Sequence, residues 1–196
     1  YQTGLVPESA LVTVKAPVFS FSKMTTVDTF LGPEMKSTGE VMGTDTSYIK
    51  ALTKAMLASG MKIPDRDNVL FSVADRDKQE ASEIARELAG MGFRLFATEH
   101  TCDYFRKHGL TAEKVTAEEA IRCIQEDKVD LLINTPTRGK IPSRLGFLLR
   151  RAAMEFNVLS VTSPDTAKSL LAVLKANCRD LDVIPLNEYQ PVKQSS

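Results

Sequence analysis

The chain lacks most of what would assign it quickly. Lysine plus arginine and aspartate plus glutamate number 25 each, so the net charge is +0. A nucleic-acid binder normally shows a basic excess, and none is present. No apolar run approaches the ~20 residues that a membrane-spanning helix requires. The opening residues, YQTGLVPESA, have neither an initiating Met nor the basic-then-apolar layout of a signal peptide. They read as a mid-chain start, and the protein is expected to be cytoplasmic. Cysteine is scarce: Cys102, Cys123 and Cys178 form an odd, scattered set. That suits a reducing compartment and argues against a disulfide framework. With only His100 and His108 beside them, no zinc spacing emerges. Also missing are GxGxxG, a Walker loop, GxSxG and a paired-carboxylate constellation.

What is present is an ordinary globular composition, 43% hydrophobic and 26% charged over 196 residues. This is enough for one domain and an additional segment. The first stretch, LVTVKAPVFSF, alternates weakly and contains Pro17, which predicts an edge or irregular strand. LGPEMKSTGEVMG, rich in glycine and small polar residues, reads as a structured loop. Thr44–Ser59 then places Tyr48, Leu52, Ala55, Met56 and Ser59 on one helical stripe. Thr46 or Ser47 is the candidate cap, and Gly60 the stop. MKIPDRDN is a hydrophilic connection.

From Asn68 a regular alternation begins. NVLFSV, FRLFAT, AEKVT, DLLINT and VLSVT read as short buried strands. Between them lie helices over Lys78–Gly90, HTCDYFRKHG, Ala117–Glu126 and Ser143–Phe156, with a last one over Asp165–Ala176. The tail VKQSS is expected to fray. Strands separated by helices imply βαβ units: an open, mostly parallel five-stranded α/β sheet flanked by helices. Right-handed crossovers collect the strand C-termini on one rim, where such sheets bind ligands.

The rim loops carry the candidate chemistry. After the first of these strands comes SVADRDK, with Ser72 and Lys78. A lysine at a helix start opposes the helix dipole unless an anion sits between it and the amides; the alternative is a solvated surface lysine. After the second comes ATEHT. Thr98 and Thr101 offer hydroxyls for a phosphate or carboxylate cradle, or serve only as caps. Glu99 and His100 point in different directions and have no visible third partner, which disfavours acid–base catalysis. After the fourth comes NTPTRGK, where Asn134, Thr135 and Thr137 can bond a base or sugar, or form a plain polar turn. Arg150–Arg151 read as surface helix residues. Together these loops favour a small anionic ligand.

SVADRDK, GFRLFATEHT, DLLINTPTRG and LLRRAA resemble the methylglyoxal-synthase-like domain. VKAPVFSFSKM and VDTFLGPEMKSTGEVMG resemble the end of the second ATP-grasp unit in the carbamoyl phosphate synthase large-subunit family. The resemblance covers nearly the whole chain. It divides it into a tail of the ATP-grasp domain with a connecting helix, residues 1–60, and a regulatory domain, residues 61–196. The family makes carbamoyl phosphate from ATP, bicarbonate and glutamine-derived ammonia, for arginine or pyrimidine synthesis. The resemblance implies a non-catalytic, allosteric portion with no cofactor of its own; the parent chain would use ATP with Mg or Mn. Implied partners are the small glutaminase subunit, the rest of the large subunit, and a nucleotide effector such as UMP or IMP, with self-association as a further expectation.

Carried over by position, the effector phosphate meets Lys78, Thr98 and Thr101. Ser72, Asn134, Thr135 and Thr137 serve ribose and base. There are departures from the family pattern. EKVTAEEA stands where a second lysine is often set in an NKVxEG-like loop, and Lys114 lies nearby. His100–Thr101 stands in place of Gly–Thr. Ala16 and Ser160 occupy the places of the glutamate and tyrosine that bind ornithine. These departures imply weak nucleotide control and no ornithine activation. The metal-binding ExNxR pattern of ATP-grasp enzymes is missing. So is the GGDQQ-like aspartate loop of stand-alone methylglyoxal synthases, where Glu118 and Glu119 stand instead. A lyase of that type, and a purely structural docking domain, are the alternatives. Finally, residues 14–43 read as a torn edge, with an unpaired strand and exposed Phe19 and Phe21.

Overall fold

The structure, a computed structural model, describes residues 4, 9–19, 35–64, 68–137, 145–177, 181–185 and 188. The expectations for Phe21, Leu31–Glu34, Gly139, Ser143 and the tail lie outside the described residues.

Five short strands form one parallel sheet: β3 (Asn68–Phe71), β4 (Arg94–Thr98), β5 (Glu113–Val115), β6 (Leu131–Ile133) and β7 (Leu159–Val161). Their spatial order is β5-β4-β3-β6-β7. They alternate in sequence with helices α2 (Lys78–Gly90), α3 (Glu99–Lys107), α4 (Ala117–Gln125), α5 (Leu145–Glu155) and α6 (Pro164–Ala176). The period-2 geometry of a strand sends successive side chains to opposite faces. Val69 and Phe71 thus join Leu95, Ala97, Leu131 and Ile133 on one face, beneath α2, α3 and α6. Leu70, Phe96 and Leu132 point the other way, into α4 and α5. With both faces covered, the strands read as nearly continuous apolar runs, as parallel strands do.

The N-terminal part differs from the expected loop. β1 (Val12–Val18) pairs antiparallel with β2 (Gly39–Asp45), and α1 spans Tyr48–Ala58. Residues 39–43, expected as loop, are therefore strand. The reason is packing: a Cβ on Gly43 would overlap the carbonyl oxygen of Ala51 and the amide of Ala55. Here glycine permits a helix to lie directly on a strand rather than marking a turn. The helix starts at Tyr48, with Ser47 as one of the two expected caps, while Thr44 and Asp45 of the preceding stretch are held in β2. Ser47 is the N-cap, but its side chain makes no cap bond. The Asp45 carboxylate instead accepts from the Ser47 amide at 3.1 Å. Lys54 donates to the same carboxylate at 2.8 Å.

Leu52, Ala55 and Met56 are buried, whereas Tyr48 is 54% exposed. Through Leu52 and Met56, α1 joins the core beneath the main sheet. Pro17 sits opposite Glu40 in a ribbon of two strands, consistent with an edge position. Phe19 is half-buried rather than exposed.

Candidate functional site

The strand order fixes where a ligand can enter. From β3 the chain steps outward through β4 and β5, then crosses back to lay β6 on the other side of β3. The crevice at the C-terminal ends of β3 and β6 is the topological switch point. Ser72, Val73 and Ala74 follow β3 there, and Asn134 and Thr135 follow β6.

The expected site residues gather at this rim, but several are occupied by it. Asn134 is 2% exposed. Its amide donates to the Ser72 carbonyl at 2.7 Å, and its Oδ1 accepts from Arg150 at 2.5 Å. The Thr135 hydroxyl accepts from the Ala74 amide at 2.9 Å. The Thr101 hydroxyl accepts from the Val73 amide at 3.2 Å. Both threonines are buried. The loop after β3 leaves the sheet ladder, so its amides need other acceptors, and two threonines from flanking elements supply them. The Ser72 amide is satisfied by the Ile133 carbonyl at 3.0 Å.

Lys78 opens α2 and is buried, at 8% exposure. Its ammonium donates to the His100 carbonyl at 3.0 Å, pairs with Asp75 at 2.7 Å, and lies 5.8 Å from the Tyr104 ring centroid. A lysine at a helix start is thus compensated by a carboxylate and a carbonyl. That pairing holds the Asp75 carboxyl below the usual range. Thr98 is the N-cap of α3, yet its hydroxyl makes no cap bond. Half-buried at the first turn of that helix, it remains the hydroxyl best placed to meet a ligand. Thr137 is exposed at the end of the described β6 loop.

One participant escaped the sequence reading, and a second was noted only as lying near the expected loop. Arg150, read as a surface residue, is 4% exposed and grips Asn134. The available signal was its place beside Leu149 and one turn from Ala153 on the buried stripe of α5. Lys114, on β5, reaches the first turn of α3 and pairs with Glu99 at 2.6 Å and Asp103 at 3.8 Å. The Lys114 hydrogen bond lowers the Glu99 pKa, and the same bond raises that of Lys114. Glu119 serves locally: its carboxylate accepts from the Thr116 amide at 2.8 Å, closing the capping box of α4. Among the described residues no group of three or more His, Cys, Asp or Glu could hold a metal ion. No described helix is long and apolar enough to cross a membrane.

Comparison with known proteins adds a decisive observation. Residues 80–162 match the family model for the MGS-like domain. The whole chain is 44% identical to the carbamoyl phosphate synthase large chain of Caldanaerobacter subterraneus subsp. tengcongensis. The chain carries an MGS-like domain of the carbamoyl phosphate synthase large-chain type. A second large chain, from Thermoanaerobacter sp. strain X514, is 42% identical, again over all of this chain. This chain spans 18% of the length of those relatives, matching their C-terminal part. Among solved structures, methylglyoxal synthase from Elizabethkingia anophelis NUHP1 is similar over 56% of this chain and 79% of its own. That match has 16% identity and a TM-score of 0.46.

Proposed function

We propose that this chain is the regulatory portion of a carbamoyl phosphate synthase large chain, and that its rim receives the phosphate of a nucleotide such as UMP or IMP. The parent enzyme would make carbamoyl phosphate from ATP, with Mg or Mn, bicarbonate and ammonia delivered from glutamine by a small subunit. Its setting would be cytoplasmic, serving arginine or pyrimidine synthesis. The observation carrying this reading is the 42–44% identity to large chains across all 196 residues. The rim supports the anionic ligand: Lys78, Lys114, the Thr98 hydroxyl and the first turn of α3 converge at the carboxyl edge of the sheet. The division at residue 60 belongs to the same reading, with β1, β2 and α1 as the end of an ATP-grasp unit.

Calorimetric titration with UMP and IMP tests it. Saturable binding that Lys78→Ala removes is expected. Binding that survives Lys78→Ala would overturn the assignment of the phosphate site.

A second reading has its own support. Thr101, Thr135 and Asn134 are already consumed in hydrogen bonds within the protein. A domain whose rim is self-satisfied can act purely by docking on its neighbours. Effector titrations on the complete enzyme that leave its rate unchanged would favour that reading. The lyase alternative is disfavoured because Glu119, in the place of the aspartate loop, is committed to a helix cap. A colorimetric assay for methylglyoxal from dihydroxyacetone phosphate decides it.

A further inference from the structure

Among the described residues, three rim cations hold a carboxylate. Lys78 has Asp75 at 2.7 Å, Arg76 has Asp77 at 3.4 Å, and Lys114 has Glu99 at 2.6 Å with Asp103 at 3.8 Å. The pairs are not equivalent. Asp75 and Glu99 are highly exposed, with side chains 93% and 63% accessible, while the ammonium-bearing side chains they meet are 10% and 37% accessible. An exposed acid therefore covers a more buried base in both cases. The two bases converge on the same turn: Lys78 donates to the carbonyl of His100, and Lys114 to the side chain of Glu99, one residue earlier.

From this geometry, and resting on the effector reading above, we infer that Asp75 and Glu99 are internal stand-ins for an effector's phosphate, occupying Lys78 and Lys114 and so setting the rim's affinity and charge selectivity. An incoming phosphate must displace both carboxylates from their lysines before it gains either ammonium. Charge-assisted bonds of this kind are strong, but the exchange returns only the difference between two of them. A phosphorylated ligand thus binds more weakly than the number of cations suggests. An uncharged nucleoside is not affected, because it makes no claim on the lysines.

The experiment is calorimetry on the 196-residue chain and its Asp75→Asn, Glu99→Gln and doubly substituted forms, titrated with UMP and, separately, with uridine. Both acids are exposed, and a thermal midpoint for each variant is the check that it folds. Several-fold tighter UMP binding is expected for each single variant and at least tenfold for the double. Uridine binding should be unchanged. UMP affinity within twofold of the parent in all three variants overturns the inference, as does an equal gain for uridine. If the parent chain takes up UMP through Lys78 and the variants do not improve, only the stand-in role falls. If neither the parent nor any variant takes up UMP, IMP or inorganic phosphate, the effector reading falls with it.

Discussion

Replacing Asp45 by Asn should remove a pH-dependent share of the stability that ties the N-terminal ribbon to α1. Asp45 and Lys54 have side chains only 10% and 17% exposed and lie 2.8 Å apart. The Lys54 hydrogen bond, then that of the Ser47 amide, lowers the Asp45 pKa from 3.8 to about 2, against the opposing effect of burial. That gap, at roughly 1.4 kcal/mol per pH unit, corresponds to about 2 kcal/mol. The sign follows from a depressed folded-state pKa. The stabilisation is complete above about pH 4 and is lost as pH falls through about 2. Other carboxylates also titrate there, so the difference between parent and variant is the quantity to read. Urea unfolding at pH 7, 5, 3 and 2 should give a difference of about 2 kcal/mol at the two higher values, shrinking at the lowest. A difference below about 0.5 kcal/mol at pH 7, or one that does not change with pH, would refute the assignment of this pair as a partly buried, stabilising contact.

Two further substitutions probe the packing of α1 and the rim network. Gly43→Ala should destabilise by about 1–3 kcal/mol, because the new methyl overlaps the backbone of α1 and the helix must shift; urea unfolding, with faster amide exchange in α1, reads it. Asn134→Leu should cost about 2–3 kcal/mol, since it removes acceptor and donor at once from Arg150 and the Ser72 carbonyl. A cost within 0.5 kcal/mol would show that this network does not hold the rim.

The alternation of strands and helices was legible because burial on both faces leaves clear marks. The bounds Lys78–Gly90 are those observed for α2, since four inward residues at helical spacing, Ala81, Ile84, Ala85 and Leu88, outline it. Strands were read slightly long: β6 ends at Ile133, and the side chains of Asn134 and Thr135, which continue the run DLLINT, bind Ser72 and Ala74 instead. Residues 39–43 were misread because a glycine needed for close packing looks the same in sequence as one needed for a turn. The site was legible as a place more than as an arrangement. Hydroxyls and a lysine after successive strands mark the rim. That Thr101 and Thr135 serve backbone amides, or that Glu99 reaches Lys114 across two elements, depends on partners 15 to 61 residues apart. A doublet such as Arg150–Arg151 likewise reads as surface until the helix is oriented, when Arg150 proves to face the core.

The proposed effector site lies on the rim at the switch point and receives an anion. Amide chemical-shift mapping during a UMP titration of the 15N-labelled chain tests it most directly. Saturable shifts concentrated at Ser72–Lys78, Thr98–Thr101, Lys114 and Asn134–Thr137 are expected, and their loss in Lys78→Ala. Shifts centred elsewhere, or none at saturating UMP, would contradict it.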